Sequence, residues 1–307
     1  MMLESTAKRP RAAHAPAGLE AAELVRPTTV REALSLLEKA AQAGRAVMVL
    51  AGGTDLIVDR HLLPIDRAHR VDLVVDVTRI EQFHAIAKDG ERLSFAGGVT
   101  YWDLRRERLV LEAIPMLAEM AKDVGAVQIQ TRGTLAGNIA SASPAADGVP
   151  ALMALDANVH LASTQGSRTI PLAQFFTGYR KTVMRPDELI VRIDVRLPGS
   201  AKVSWRKVGT RQAQSISKVA LASVIDVANG TIRHARFGMA SVAATTHPLD
   251  HVRTYVEGRA LSAIDPAEVD LALGRDIQPI DDVRSTGEYR MHVARSLVRR
   301  ALASVSA

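Results

Sequence analysis

The chain contains no cysteine among its 307 residues. Disulfides, thiolate zinc sites, cysteine-ligated iron–sulfur clusters and cysteine nucleophiles are therefore excluded within it. No run of 18 apolar residues occurs, so a transmembrane helix is not expected. The N-terminal MMLESTAKRPRAAHAPAGLE has basic residues with no apolar stretch behind them, unlike a secretory signal. A cytoplasmic location and a disordered lead-in over residues 1–22 are the resulting expectations. Aromatics are scarce, at 4%, and the Lys and Arg that give a formal net charge of +6 are scattered. Few stacking platforms and no basic cluster argue against a nucleic-acid partner. The nine histidines show no metal-ligand spacing, and neither His-Glu-x-x-His nor Gly-x-Ser-x-Gly is present, so no metal site and no side-chain nucleophile are expected.

What the chain does have is a 47% hydrophobic fraction, enough for a substantial core, and a length suited to two or three domains. PTTVREALSLLEKAAQAG (27–44) reads as a helix capped by Thr28 or Thr29 and ended by Gly44. Val47–Leu50 and residues 71–80 read as buried strands, giving an α/β unit. RLSFAGGVTYWDL reads as a strand, a turn and a helix starting at Asp103, and residues 111–125 as one amphipathic helix. A helix follows near Val149, then a hairpin around TQGSR and a strand over 188–198. GSAK (199–202) reads as a linker. Beyond it come two antiparallel strands around Asn229–Gly230 and a helix over 285–305.

Two stretches carry chemistry. In VMVLAGGTDL a strand runs into Gly52, Gly53 and Thr54, where backbone amides without Cβ shielding can approach a phosphate. The Rossmann pattern fails because Thr54 and Ile57 stand where glycine should recur, although Asp76 imitates the ribose acid; with no Gly-Lys anywhere, a P-loop fails too. The second stretch, TRGTLAGNIASASPAADG (131–148), holds five alanines and three glycines in eighteen residues. Its Thr134, Asn138, Ser141 and Ser143 keep short polar groups near the main chain. Asp147 adds an acceptor for a ribose or ribityl hydroxyl. Close helix packing would also use such small residues, but two such loops about eighty residues apart favour one extended dinucleotide spanning two subdomains. Asn138 reads as a ligand contact or as a turn residue bonding its own loop. Asp147 reads as a ligand contact or as a cap of the following helix.

VLAGGTDL, QIQTRGTLAGNIASASPAAD and FFTGYRKTVMRPDELIVRIDV, in that order and spacing, closely resemble the FAD-binding subunit of the molybdenum hydroxylases, the xanthine dehydrogenase and carbon monoxide dehydrogenase flavoprotein type. The resemblance runs from about Glu23 to Ala303. It implies a mixed α/β and α+β fold, with a two-subdomain FAD module of the vanillyl-alcohol-oxidase/PCMH type over 23–80 and 81–198 and a C-terminal α+β domain over 203–307. It implies noncovalent FAD, with its pyrophosphate wrapped by Val49, Leu50, Ala51, Gly52, Gly53, Thr54, Asp55 and Leu56 and closed upon by Thr134, Leu135, Ala136, Gly137 and Asn138. Asp147 would contact the sugar-like portion, Leu189 or Ile190 would pack on the flavin, and Lys207 would lie near the isoalloxazine end, unless it is simply a solvated strand-end lysine. The flavin itself would be the reactive group.

The resemblance further implies an electron-transfer role. A molybdenum-binding large subunit and a small subunit with [2Fe-2S] clusters would be the partners, and NAD+, a quinone or another acceptor would take the electrons. A purine or other N-heterocycle is the implied substrate class. Two departures stand out. Ala136 replaces a glycine of the usual TIGGN, which is tolerable if that residue does not need positive φ, and Arg211 is followed by Gln212, Ala213, Gln214 and Ser215 rather than by acidic residues. The absence of cysteine excludes the branch with an extra cluster in this subunit. The alternatives are a stand-alone flavin oxidoreductase of the same superfamily, or a non-catalytic scaffold or nucleic-acid-binding protein.

Overall fold

The structure, a computed structural model, describes residues 18–62, 70–212 and 214–305. Most of the lead-in read over residues 1–22 lies outside the described residues.

The first unit begins with β1 (Glu23–Val25), α1 (Val30–Gln42), β2 (Val47–Leu50), α2 (Leu56–Leu62) and β3 (Leu73–Asp76). Thr29 caps α1 by accepting from Glu32 N at 3.2 Å, and Ala33, Leu34, Leu37 and Ala40 form its buried stripe. The strands are parallel in the order β1-β3-β2. β3 is shorter than the strand read over 71–80, because Asp76 caps a 3-10 turn at Val77–Arg79 by accepting from Thr78 N.

The second unit comprises β4 (Ile86–Asp89), β5 (Arg92–Ala96), α3 (Tyr101–Arg106), α4 (Arg108–Ala113), α5 (Pro115–Asp123), α6 (Val127–Gln130), α7 (Leu135–Ala140), α8 (Gly148–Ala154), β6 (Asn158–Ser163), β7 (Gly166–Pro171), β8 (Phe176–Gly178), β9 (Lys181–Thr182) and β10 (Leu189–Arg196). Its five-stranded antiparallel sheet runs β4-β5-β10-β6-β7, and β8-β9 is a separate hairpin. Two expectations are corrected here. The helix read from Asp103 starts at Tyr101, because Thr100 and Asp103 form a reciprocal capping box. The single helix read over 111–125 is two, because Ile114 leaves the helical region and Pro115 opens α5 at its first position.

The third unit holds β11 (Lys202–Val208), β12 (Val219–Ala228), β13 (Thr231–Ala240), α9 (Asp250–Val256), α10 (Pro266–Asp276) and α11 (Gly287–Ala303). Its sheet is the meander β11-β12-β13, one strand more than the sequence pattern gave. Asn229 and Gly230 turn the β12–β13 hairpin at φ +53 and +71, the left-handed pair that Asn-Gly supplies readily. The sheet is covered on both faces. Val219, Leu221 and Ile225 pack with α9, α10 and α11, while Ala220, Ala222 and Val224 join the core of the second unit. α8 lies so close to β13 that a Cβ on Gly238 would stand 2.2 Å from Pro150 O.

At the far end, Asp282 accepts from Arg284 and Arg290, and Arg290 also donates to Ser241 O. Burial acts to raise the Asp282 carboxyl, but the hydrogen bonds from Arg284 and Arg290 overcome it and hold the group well below the usual carboxylate range. A depressed folded-state value contributes stability above the unfolded value, and the contribution is lost as pH falls toward the folded one. Asp282→Asn is therefore expected to cost about 1–2 kcal/mol at pH 7. Urea midpoints of variant and wild type should converge as pH drops below about 4; a pH-independent gap would contradict this.

Candidate flavin-nucleotide cleft

The first glycine loop leaves the end of β2 and enters α2, and the second leaves α6 and enters α7. Main-chain bonds fix the second loop to the turn after β5: Tyr101 N donates to Gly133 O and Leu135 N to Val99 O, both at 3.1 Å. Thr134 caps α7 by accepting from Gly137 N at 2.9 Å. The two loops then meet. A Cβ on Gly52 would lie 2.0 Å from Arg132 O and 2.9 Å from Gly133 Cα, so only glycine permits the approach. Arg132 Nε donates to Gly52 O at 3.3 Å, and Ser141 Oγ lies 3.0 Å from Asp55 Oδ2. Gly53, at φ +72, turns the first loop away into α2.

Between the loops opens a cleft of about 230 Å³. Val49 and Ala51 through Leu56 line one side, and Thr134, Gly137, Asn138 and Ser141 the other. Gly52 and Thr134 also border a groove of about 150 Å³ with Thr78, His84 and Arg132. Asp55, Leu56 and Ser141 continue into a hollow of about 300 Å³ reaching Arg180. Three hollows joined through shared residues suit a ligand that is long rather than round.

Not every residue singled out above faces this cleft. Leu50 is half-buried behind the first loop, with its Cδ1 toward Gly53. Leu135 and Ala136 turn into the core. Ala136 has a helical backbone without positive φ, so its methyl replaces the family glycine without strain. Leu189 and Ile190 are buried in two different cores. Asn138 accepts from Gly148 N at 3.0 Å, which makes it a loop-bonding residue while it lines the cleft.

Asp147 and Lys207 stand outside the lining and pair with each other, Lys207 Nζ to Asp147 Oδ2 at 2.6 Å. Ser217 donates to the other Asp147 oxygen, and Lys207 also donates to Asp123 O at 2.8 Å. Lys207 is therefore not a solvated strand-end lysine: its side chain is 7% exposed. Asp147 precedes α8, yet its side chain makes no cap hydrogen bond to the helix. Burial pushes its carboxyl upward, and the Lys207 ammonium and Ser217 hydroxyl act against that.

Tyr101, Val124 and Ile129, which the sequence reading did not name, line the cleft too, as do Gly133 and Ala140 of the second stretch. The T-x-x-D capping signal at Thr100 and Asp103 marks Tyr101 as the first residue of α3, but its place beside the second loop is set by the bond from Tyr101 N to Gly133 O. Tyr101 Oη is buried and has no hydrogen-bond partner. A glycine cradle, short hydroxyls and an orphaned phenol fit a nucleotide whose backbone-hugging portion carries oxygen acceptors. Among the described residues no helix is long and apolar enough to cross a membrane, and no group of three or more His, Asp or Glu could hold a metal ion.

Known proteins share this fold. The family described as FAD binding domain in molybdopterin dehydrogenase matches residues 20–198, and the CO dehydrogenase flavoprotein C-terminal domain matches residues 205–305. Caffeine dehydrogenase subunit beta from a Pseudomonas species is 28% identical, over 92% of this chain and 93% of that subunit. The carbon monoxide dehydrogenase medium chain of Hydrogenophaga pseudoflava is 29% identical, over 90% of this chain and 94% of that one. A solved carbon monoxide dehydrogenase from the same organism, lacking the Mo-pyranopterin moiety of its molybdenum cofactor, has a chain that superposes with a TM-score of 0.84 at 26% identity, covering 91% of this chain and 95% of that one. With both domain types present in order and the two glycine loops closed on one cleft, the chain belongs to the FAD-binding flavoprotein subunits of the molybdenum hydroxylase family.

Proposed function

We propose that this chain is the electron-transfer subunit of a multi-subunit molybdenum hydroxylase. Electrons released by substrate hydroxylation at a molybdenum cofactor on a large subunit would cross the [2Fe-2S] clusters of a small subunit. They would reach the flavin held here and leave for NAD+, a quinone or another acceptor. The observation that carries this reading is the seam where Gly52 abuts the Arg132–Gly133 backbone, a contact suited to cradling a nucleotide between the two glycine loops. The names of the relatives, a subunit beta and a medium chain of dehydrogenases, support the role of one component among several.

Bound FAD supplies the redox capacity, being able to take up and release one or two electrons. The chain's own part is to hold and orient. Free amides of the first loop and the Thr54 hydroxyl can donate to phosphate oxygens. Val49, Val124 and Ile129 line the cleft with apolar surface. With no cysteine, the chain cannot ligate a cluster through thiolates, so the clusters of this scheme fall to a partner. Affinity purification of the tagged chain from its own cells tests the reading. Flavin, iron and molybdenum should copurify in a fixed ratio, and a flavin-bearing chain that brings neither metal would overturn the assignment in favour of a stand-alone oxidoreductase.

A further inference from the structure

Tyr101 is the first residue of α3, placed by the Thr100–Asp103 capping box. Its ring covers the second loop so closely that a Cβ on Gly133 would touch Cδ2 and Cε2 at 3.3 Å. Its hydroxyl reaches the start of α8, where a Cβ on Gly148 would lie 3.1 Å from Oη and 2.7 Å from Asn138 Oδ1. Glycine at 133 and 148 thus leaves room for a phenol that bonds to nothing. Among the described residues four buried side-chain atoms lack a partner. Two are guanidinium Nε atoms, of Arg105 and Arg290, and each of these guanidinium groups is hydrogen-bonded through another nitrogen. Only Tyr101 also lines the glycine-loop cleft.

A buried hydroxyl left unpaired is destabilising, and native proteins seldom keep one without a use. Phenylalanine would fill the same space without that penalty. We infer that Tyr101 is a cofactor-binding residue whose hydroxyl donates a hydrogen bond to a phosphate or ribityl oxygen of the FAD held between the two glycine loops. The inference rests on the flavin reading above and adds a residue and a direction of donation to it. Burial, with Asp147 and Asp55 nearby, holds the phenol well above its usual range, so it remains a proton donor at physiological pH. Asn138 faces the same cleft, where its Oδ1 accepts from Gly148 N, while the Tyr101 hydroxyl beside it has no competing bond.

The test is Tyr101→Phe in the full chain, with FAD titrated into flavin-free protein and thermal midpoints of the flavin-free forms compared. The expected result is FAD binding weakened about 5–10-fold, the equivalent of one neutral hydrogen bond, together with a midpoint equal to or above that of wild type. Retention of wild-type affinity by the variant overturns the inference and leaves the flavin reading standing. A lowered midpoint of the flavin-free variant overturns it too, since the hydroxyl would then serve the fold. Wild-type chain that binds no FAD at all removes both.

Discussion

Gly52→Ala is expected to abolish flavin retention while the third sheet and its helices stay folded. The added methyl would stand 2.0 Å from Arg132 O, 2.6 Å from Arg132 C and 2.9 Å from Gly133 Cα. All three atoms are backbone, so no rotamer change relieves the clash, and the loops must separate by more than an ångström. Overpacking of this kind costs about 1–3 kcal/mol in stability. The binding cost is larger, because the cradle exists only while the loops touch and donors displaced by an ångström no longer reach their acceptors. FAD affinity should fall at least ~100-fold, about 2.7 kcal/mol. Gly178→Ala is the control: a methyl there meets nothing within 4 Å. The ratio of flavin to protein absorbance after gel filtration should drop to background for Gly52→Ala alone. Wild-type flavin content in that variant would mean that the seam is not the cofactor site.

The second large effect is expected at the seam between the second and third units. Lys207 on β11 and Asp147 before α8 have side chains only 7% and 12% exposed, and they meet at 2.6 Å. Around them Ser217 bonds Asp147, while Trp205 Nε1 donates to Asp123 Oδ2 at 2.7 Å. Lys207→Met would strand a buried carboxylate, and breaking one half of such a pair typically costs about 3–5 kcal/mol. Adding Asp147→Asn should restore much of the loss, because an uncharged amide is cheaper to bury than an uncompensated carboxylate.

The pH dependence of the single variant has a definite sign. Without the ammonium, burial raises the Asp147 carboxyl against the Ser217 hydrogen bond alone. A raised folded-state value confers stability fully present below the unfolded value and lost as pH rises through the folded one. Lys207→Met should therefore be nearest to wild type in acid and furthest from it at neutral pH. Urea unfolding at several pH values reads this directly. A loss below 1 kcal/mol at pH 7 would show that the pair contributes little.

Legibility from sequence divides along physical lines. α1, β2 and the β12–β13 hairpin were readable because cap, periodicity and turn residues agree locally. The two glycine loops were readable because each combines glycines with short polar side chains, and the two lie about eighty residues apart. β1, three residues long, offers no period, and its pairing to β3 is set by tertiary contact. α8 is buried on every side, from Gly148 to Ala154, and so shows no amphipathic stripe to fix its bounds. β11 was hidden because its alternation is weak, and its partner β12 lies beyond an intervening loop.

Site residues divide in the same way. Gly52 and Thr134 announce themselves by type and neighbours. Asp147 and Lys207 lie 60 positions apart, and only the closed sheet brings them together. Tyr101 carried a local signal in its capping box, but its role depends on a missing partner, which no sequence pattern displays.

The two glycine loops, closed on one cleft, should hold one FAD. The visible absorption spectrum of the purified chain, recorded before and after heat denaturation and filtration, tests this most directly. Flavin bands that pass wholly into the filtrate, with the released cofactor chromatographing as FAD in a ratio near one per chain, are the predicted result. A chain that is colourless as purified and stays so after incubation with FAD would contradict it.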